Sequence, residues 1–500
     1  MVSARDAAYL ETDEADEART EGAADVVIGR MAEGLARQVE AVGESVSETF
    51  FEPVIRLGVT GLARAGKTVF ITSLVANLMD RGRLHGLVAQ ADGRIQTAFL
   101  QPQPDDTVPR FDYERHLAAL TAATPHWPDS TSAISELRLS LRVRPDGFLG
   151  GFQGPRVIHL DIVDYPGEWL MDLALLDKSY ADWAGDVLSW ASKRPMAQGF
   201  LAEVEKAYEK ADWTETEVQE LTRLYRRYLV RARDAGHSDI TPGRFLLPGE
   251  MKGSPVLSFV PLMQEDRPSR RGLYREMERR YDAYRDRVVK PFFRDHFSRI
   301  DRQVVLVDAL GAIHKGPMAV EEQRRAMAGI LSAFRPGQNA FLSRLLRGKR
   351  VEKILFAATK ADHLHHSQHG RLTAIMEAML RDAVDRARFA GANTQAMSIA
   401  ALRATVEETL QHEGQPLDCV RGTLLDADGN RGRMAAMYPG ELPEDPNRLL
   451  NPAMAGQDTW LDGEYDLMNF APAQLRLKPG EGPPHIRLDR AAQFLIGDKL

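Results

Sequence analysis

Cysteine is almost absent: Cys419 stands alone among 500 residues. One thiol can form neither an internal disulfide nor a cysteine-based zinc site, so a reducing compartment is expected. Long apolar runs are missing too. Stretches such as Val304–Val307 have the length of a buried strand and fall far short of the ~20 residues that span a bilayer. Neither sign of charge dominates, with 64 Lys and Arg against 71 Asp and Glu and a net charge of -7. A mildly acidic chain is a poor candidate for coating nucleic acid, and none is expected as a partner. The N-terminus lacks the basic start and apolar stretch of a secretory signal: Asp6, Glu11, Asp13, Glu14, Asp16, Glu17, Glu21 and Asp25 face only Arg5 and Arg19. The rest is ordinary. Hydrophobic residues are 44% and charged residues 27%, the balance of a globular chain with room for several domains of roughly 100–200 residues.

Patterning along the chain predicts an α/β fold. Residues 1–25 read as a solvated acidic tail and 26–50 as a helix. Val54–Thr60 is a short β-rich run ending in glycine, and Val69, Phe70, Leu74, Val75 and Leu78 then repeat at helical spacing. Residues 83–135 read as turns with a short helix around Arg115–Ala123. Leu137–Val143 alternates with period two, and Val157–Val163 follows a Gly/Pro-rich connection, so the two predict an antiparallel pair. Residues 168–300 are charged and helical in pattern, with a Pro/Gly break near 241–255. Val304–Val307 and Ile354–Ala358 read as buried strands, 318–347 and 371–390 as helices, and Thr394–Ile399 and Val420–Leu425 as weaker strands. Residues 427–485 are rich in Pro and Gly and predict irregular structure.

The strongest motif is Gly61-Leu62-Ala63-Arg64-Ala65-Gly66-Lys67-Thr68, a complete G-x-x-x-x-G-K-[ST] between a strand and an amphipathic helix. Its glycines let backbone N–H groups curl round phosphate oxygens, and Lys67 brings a point charge to the terminal phosphates. The Thr68 hydroxyl suits a magnesium ion. The helix N-terminus at Val69 adds its dipole. Gly61, Ala63, Arg64, Ala65, Gly66, Lys67, Thr68 and Val69 are therefore the expected phosphate-binding residues. Such a site needs an aspartate at the end of a neighbouring strand. Asp164-Tyr165-Pro166-Gly167 and Asp308-Ala309-Leu310-Gly311 both read D-x-x-G. Strand order favours Asp164: a Ras-like G domain has one more parallel strand before its base-reading strand, and only Val304–Val307 can supply it. Gly167 would then offer its N–H to the γ-phosphate. Thr359-Lys360-Ala361-Asp362 resembles the guanine-reading N-K-x-D, with threonine in place of asparagine. A carboxylate at Asp362 accepts the paired N–H donors of guanine, which adenine lacks. Ala401 and Leu402 are candidates for a backbone N–H on the guanine oxygen, and Thr131 for the first switch, holding magnesium with Thr68 and Asp164. Lys67, Thr131 and Arg64 are the expected catalytic residues. Competing readings are an ATP-using P-loop enzyme and a nucleotide-binding scaffold with negligible hydrolysis.

GLARAGKT, DYPGEWL, TKADHLHHSQH and the terminal HIRLDRAAQFLIGDKL together resemble the YcjX family of bacterial stress-associated, Ras-like GTP-binding proteins, from about residue 50 onward. The resemblance implies a P-loop G domain in two parts, 51–167 and 301–426, with a helical insertion over 168–300 and an extension over 427–500 packing on it. It implies GTP, GDP and Mg²⁺ as ligands and a cytoplasmic location. It also implies a role in envelope stress, with a membrane-protein partner that recruits the chain to the inner membrane. Glu168 stands where Ras-like enzymes hold a water-positioning glutamine, so slow hydrolysis is expected. The phosphate loop also resembles GLYRTGKS of guanylate-binding proteins, which implies that Arg64 acts as an arginine finger when two G domains meet.

Two weaker constellations remain. His363, His365, His366 and His369 crowd into seven residues. With no cysteine or evident distant carboxylate to complete a metal site, they read as a helix start. Residues 267–302 hold eleven Arg and one Lys against six acids, the pattern of a solvated helix with ion pairs.

Overall fold

In the computed structural model, strands β1 (Val54–Gly61), β2 (Ile95–Gln101), β3 (Ser135–Val143), β4 (Arg156–Asp164), β5 (Arg302–Val307), β6 (Lys353–Ala358) and β7 (Asn393–Ser398) form one sheet in the order β2-β3-β4-β1-β5-β6-β7. The described residues are 52–61, 65–129, 133–146, 154–208, 212–238, 240–264, 269–332, 351–389, 392–426, 429–457, 459–460 and 468–500. The expected tail and helix of residues 1–50, and also Ala63, Arg64 and Thr131, lie outside them. Strands β4, β1, β5, β6 and β7 are mutually parallel. The pairs β2–β3 and β3–β4 are antiparallel, the latter as the alternating pattern predicts.

Side-chain alternation explains why the sheet is covered on both faces. Val304 and Leu306 of β5, with Leu355 and Ala357 of β6, pack into one core. That core also holds Phe70, Leu74 and Leu78 of helix α1 (Lys67–Asp80) and Leu488, Ala491 and Leu495 from a helix over Leu488–Ile496. Val305, Val307, Ile354, Phe356 and Ala358 enter the other core, under helices at Ala309–Lys315, Pro317–Ser332 and His369–Phe389. Arg302, fully buried at the start of β5, fastens the C-terminal helix. Its guanidinium donates to the Leu495 carbonyl at 3.0 Å and pairs with Asp498 at 2.9 Å and with Glu352.

Among the described residues, the chain from β4 to β5 contains helices and turns but no strand. An aromatic cluster fills their core: Trp183 stacks on Tyr281, and Phe259, Tyr225 and Phe245 meet edge to face around it. The basic stretch is laced with ion pairs, including Arg275–Glu278, Arg279–Glu276, Arg280–Glu215 and Arg294–Asp295, as the solvated-helix reading expects. A second, three-stranded antiparallel sheet has the order β10 (Arg431–Met437), β9 (Gln415–Leu425), β8 (Val406–His412). Strand β10 and a helix at Asn447–Met454 correct the expectation of irregular structure over 427–485. Strand β2 and the helix at Leu488–Ile496 are further elements that the pattern did not predict.

The helical region is joined to the end of β4 through Asp172. This buried carboxylate accepts from the N–H of Gly243 at 2.7 Å, the N–H of Arg244 at 3.3 Å and the Tyr284 hydroxyl at 2.5 Å. Burial raises its pKa to about 6, against the lowering effect of those donors. A carboxyl whose folded pKa lies above its unfolded value contributes most below the unfolded value, and that contribution is lost as pH rises toward 6. Urea unfolding of Asp172→Asn should therefore show a flatter dependence of stability on pH between about 4 and 6 than the parent chain. Parallel curves would contradict this account.

Candidate functional site

The five parallel strands end along one edge, and the motifs sit there. Val59 of β1 is in register with Asp164 of β4, Gly61 of β1 with Leu306 of β5, Val307 with Ala358 of β6, and Ala358 with Ser398 of β7. This is the carboxyl edge of an open α/β sheet, where loops are free to form a cleft.

Gly61 and Ala65–Thr68 bracket the phosphate loop. Gly61 is required by packing, since a Cβ there would lie 2.9 Å from the Leu306 Cβ and 3.1 Å from that of Ala65. Gly66 is required by conformation: its φ is 80° and it caps α1 with no side chain. A Cβ on Gly66 would meet none of the described residues within 4 Å. Lys67, Thr68 and Val69 form the first turn of α1, which contains no acidic residue. Thr68 is buried. That end of the helix is electropositive and suited to an anion.

Asp164 and Asp308 occupy different environments. Both carboxylate oxygens of Asp164 are buried and accept no hydrogen bond from the described residues, and the Lys67 ammonium stands 3.4 Å away. A buried carboxylate with unused lone pairs is costly unless a cation completes it. An all-oxygen set of Asp164 and Thr68 fits a hard divalent cation such as magnesium. Asp308 is already used. It caps the helix Ala309–Lys315 through the Gly311 N–H at 3.0 Å and pairs with Lys360 at 2.5 Å. Burial alone would raise its pKa, but Lys360 and the Gly311 N–H hold it below the usual carboxylate range. Gly167 begins a short helix, Gly167–Met171, three residues after Asp164. Glu168 is buried in the same turn.

The loop after β6 is fixed from several sides. Thr359 donates its N–H to the Val307 carbonyl at 2.9 Å, and its hydroxyl reaches the same oxygen at 3.3 Å. Lys360 takes a left-handed conformation, φ 61°, ahead of the turn Ala361–His363. The Ala361 N–H donates to the Ile399 carbonyl at 3.0 Å. Burial pushes the pKa of His369 down, and Nε2–H of the neutral ring fits the Ala361 carbonyl at 2.7 Å. Asp362 is buried. One of its oxygens accepts the Ala404 N–H at 2.8 Å, and the Thr405 hydroxyl donates to its backbone carbonyl. An ionised carboxylate offers about four lone-pair sites, so accepting capacity remains for a ligand. Ala401 and the buried Leu402 lie in the same loop after β7, between Ile399 and Ala404. The structure thus brings Gly61, Ala65, Gly66, Lys67, Thr68, Val69, Asp164 and Gly167 to the ends of β1 and β4. Thr359, Lys360, Asp362, Ala401 and Leu402 gather at the ends of β6 and β7. Sequence reading missed Ala404 and Thr405, which carry no motif and are visible only through the pairing of the two loops.

The YcjX-like family, DUF463, matches residues 55–500. The chain is 36% identical over 471 residues to the Ras-like GTPase YcjX of Escherichia coli (strain K12), covering 89% of this chain and 96% of that one. It is 35% identical over 475 residues to the Ras-like GTPase YcjX of Shewanella oneidensis, covering 89% and 94%.

The two aspartates should separate in a stability measurement. Asp308→Ala removes a helix cap and strands Lys360, and should lower the unfolding free energy by about 1–2 kcal/mol. Asp164→Ala also takes a partner from Lys67, but it removes a buried carboxylate that no hydrogen bond satisfies, and it should lower stability less than Asp308→Ala does. Urea denaturation of both variants checks the ranking.

Proposed function

The chain belongs to the YcjX-like family, and from that premise we propose that it binds guanine nucleotides and hydrolyses GTP slowly to GDP and phosphate, acting as a switch. The observation that supports this most is the order β4-β1-β5-β6. Asp164 and Gly61 end strands of that order and Asp362 follows one, all at one sheet edge, which supports this reading.

The phosphates would lie at Gly66 and the first turn of α1, where Lys67 exchanges Asp164 for the terminal phosphates. Thr68, Asp164 and Thr131 would hold magnesium, which when bound neutralises charge on the β- and γ-oxygens. Gly167 would donate to the γ-phosphate. Asp362 would accept the two N–H donors of guanine, with the Lys360 stem along the base and an N–H from Ala401 or Leu402 on the guanine oxygen, while Thr359 stands where N-K-x-D has asparagine. Arg64 would stabilise developing charge when two G domains meet or a partner docks, a contribution worth roughly 10³–10⁵ in rate. The helical residues 168–300 would carry the readout to a partner. None of the described helices is long and apolar enough to cross a membrane; a role in envelope stress would run through a membrane-protein partner.

Labelled GDP should be displaced by GTP and not by ATP. Asp362→Asn should weaken GTP binding and favour xanthosine nucleotides, whose base presents an acceptor where guanine has a donor. Equal competition by ATP in the parent chain would overturn the guanine reading. Lys67→Ala should abolish tight nucleotide binding. Asp164→Ala should reduce hydrolysis and its magnesium dependence far more than Asp308→Ala does. The opposite ranking in single-turnover assays would reassign the magnesium aspartate.

A further inference from the structure

The histidines that follow Asp362 do not form a simple helix start. His369 is the first residue of its helix, whereas His365 and His366 precede it at a short turn, His366–Gln368. Register places two carboxylates against them. Glu407 of β8 is paired with Val420 of β9, and its neighbour Glu408 with Cys419, which stands beside Asp418. The His366 Nδ1 lies 2.7 Å from Glu407 Oε2, and the His365 Nε2 lies 3.7 Å from the same oxygen. One ligand atom from each of His365, His366 and Glu407 falls within 4.8 Å of the other two.

We propose that His365, His366 and Glu407 bind a divalent transition-metal ion of the zinc class, which ties the loop carrying Asp362 to the small sheet. Two neutral imidazoles and one carboxylate suit zinc, with a fourth position left to water. The donor atoms need only modest movement, since ligands about 2.0–2.2 Å from a tetrahedral ion stand roughly 3.3 Å apart. The His366–Glu407 contact opens slightly and the His365–Glu407 contact closes.

Outer partners fix the donors. The other nitrogen of His365, Nδ1, faces Ser367 Oγ at 2.9 Å and Asp418 Oδ2 at 3.3 Å. Its proton belongs on that side, which turns the Nε2 lone pair toward Glu407. A carboxylate behind a ligating histidine is the usual support of such a site. Arg403 approaches the second oxygen of Glu407, Oε1, at 3.6 Å, leaving Oε2 for the ion. His366 is largely exposed while His365 is mostly covered, so an ion can enter from solvent.

The test uses the full untagged chain, stripped of metal by a chelator, free of nucleotide and in excess Mg²⁺ so that oxygen-only sites are occupied. Titrated Co²⁺ should bind one ion per chain, give the strong visible absorption of a four-coordinate ion, and be displaced by Zn²⁺. His366→Ala and Glu407→Gln should each weaken Co²⁺ binding at least about tenfold, and Asp418→Asn about 10–100-fold. Zn²⁺ should raise the melting temperature of the parent chain and not that of His366→Ala. Because His366 is exposed, its variant should melt like the parent without metal. Co²⁺ affinity unchanged in both ligand variants, or weak octahedral binding only, would overturn the site.

Discussion

Strand β5 has no polar face. Val304 and Leu306 enter one core and Val305 and Val307 the other, so the strand is stable only with a neighbour on each edge and a helical layer above and below. Its neighbours are β1 and β6. That placement separates the G-x-x-x-x-G-K-T loop at the end of β1 from the T-K-A-D loop at the end of β6 by one strand, and it leaves the other edge of β1 to β4. The position of Asp164 beside Lys67 follows from the same constraint. Arg302 belongs to it as well: a guanidinium buried at the start of β5 needs its partners Asp498, Glu352 and the Leu495 carbonyl. Removing one partner would leave a charge without compensation.

Two lysine–aspartate pairs at this edge show why equal motifs can have unequal roles. Lys360 and Asp308 form a contact at 2.5 Å, and Asp308 also caps a helix. Lys67 and Asp164 stand 3.4 Å apart, and neither oxygen of Asp164 receives a hydrogen bond from the described residues. The first pair is satisfied and the second is not. An incompletely satisfied buried carboxylate is destabilising where it stands, and such groups gather at binding sites because a ligand completes them.

Much of the large sheet was legible in the sequence because its strands carry strong signals. β3 alternates with period two, and β5 and β6 are continuous apolar runs. Asp164 and Asp308 both stand in D-x-x-G, so the sequence could rank them only through strand order. β2, β8 and β10 were not legible for a physical reason. Ile95–Gln101 is an edge strand, and Val406–His412 and Arg431–Met437 are mostly exposed, so neither burial nor alternation marks them. The carboxylates opposite His365 and His366 were hidden for the same reason. Glu407 lies 41 residues beyond His366, and a strand without a clear pattern gives no register from which to place it. The absence of an evident distant carboxylate in the sequence was an absence of a readable strand.

The two halves of the site differ in how firmly they are held. The half at the T-K-A-D loop is fastened by Val307, Ile399, His369, Ala404 and Thr405 through hydrogen bonds to Thr359, Ala361 and Asp362. Its geometry is set before any ligand arrives, which lowers the ordering cost of binding. At the other half Lys67 is held instead by its ion pair with Asp164, which the proposed phosphates would have to replace. The turn that follows Asp164 runs directly into contacts with the helical region. Arg244 stacks 3.2 Å over the Trp169 ring, Asp172 holds the Gly243 N–H, and a Cβ on Gly243 would collide with the Glu168 carbonyl. With backbone packed on backbone there is no side chain to absorb a displacement, and close-packed interiors transmit small shifts rather than damp them. Gly243 thus packs directly on the backbone that follows Gly167, so the Asp164 end of the site is the part in contact with the helices between β4 and β5.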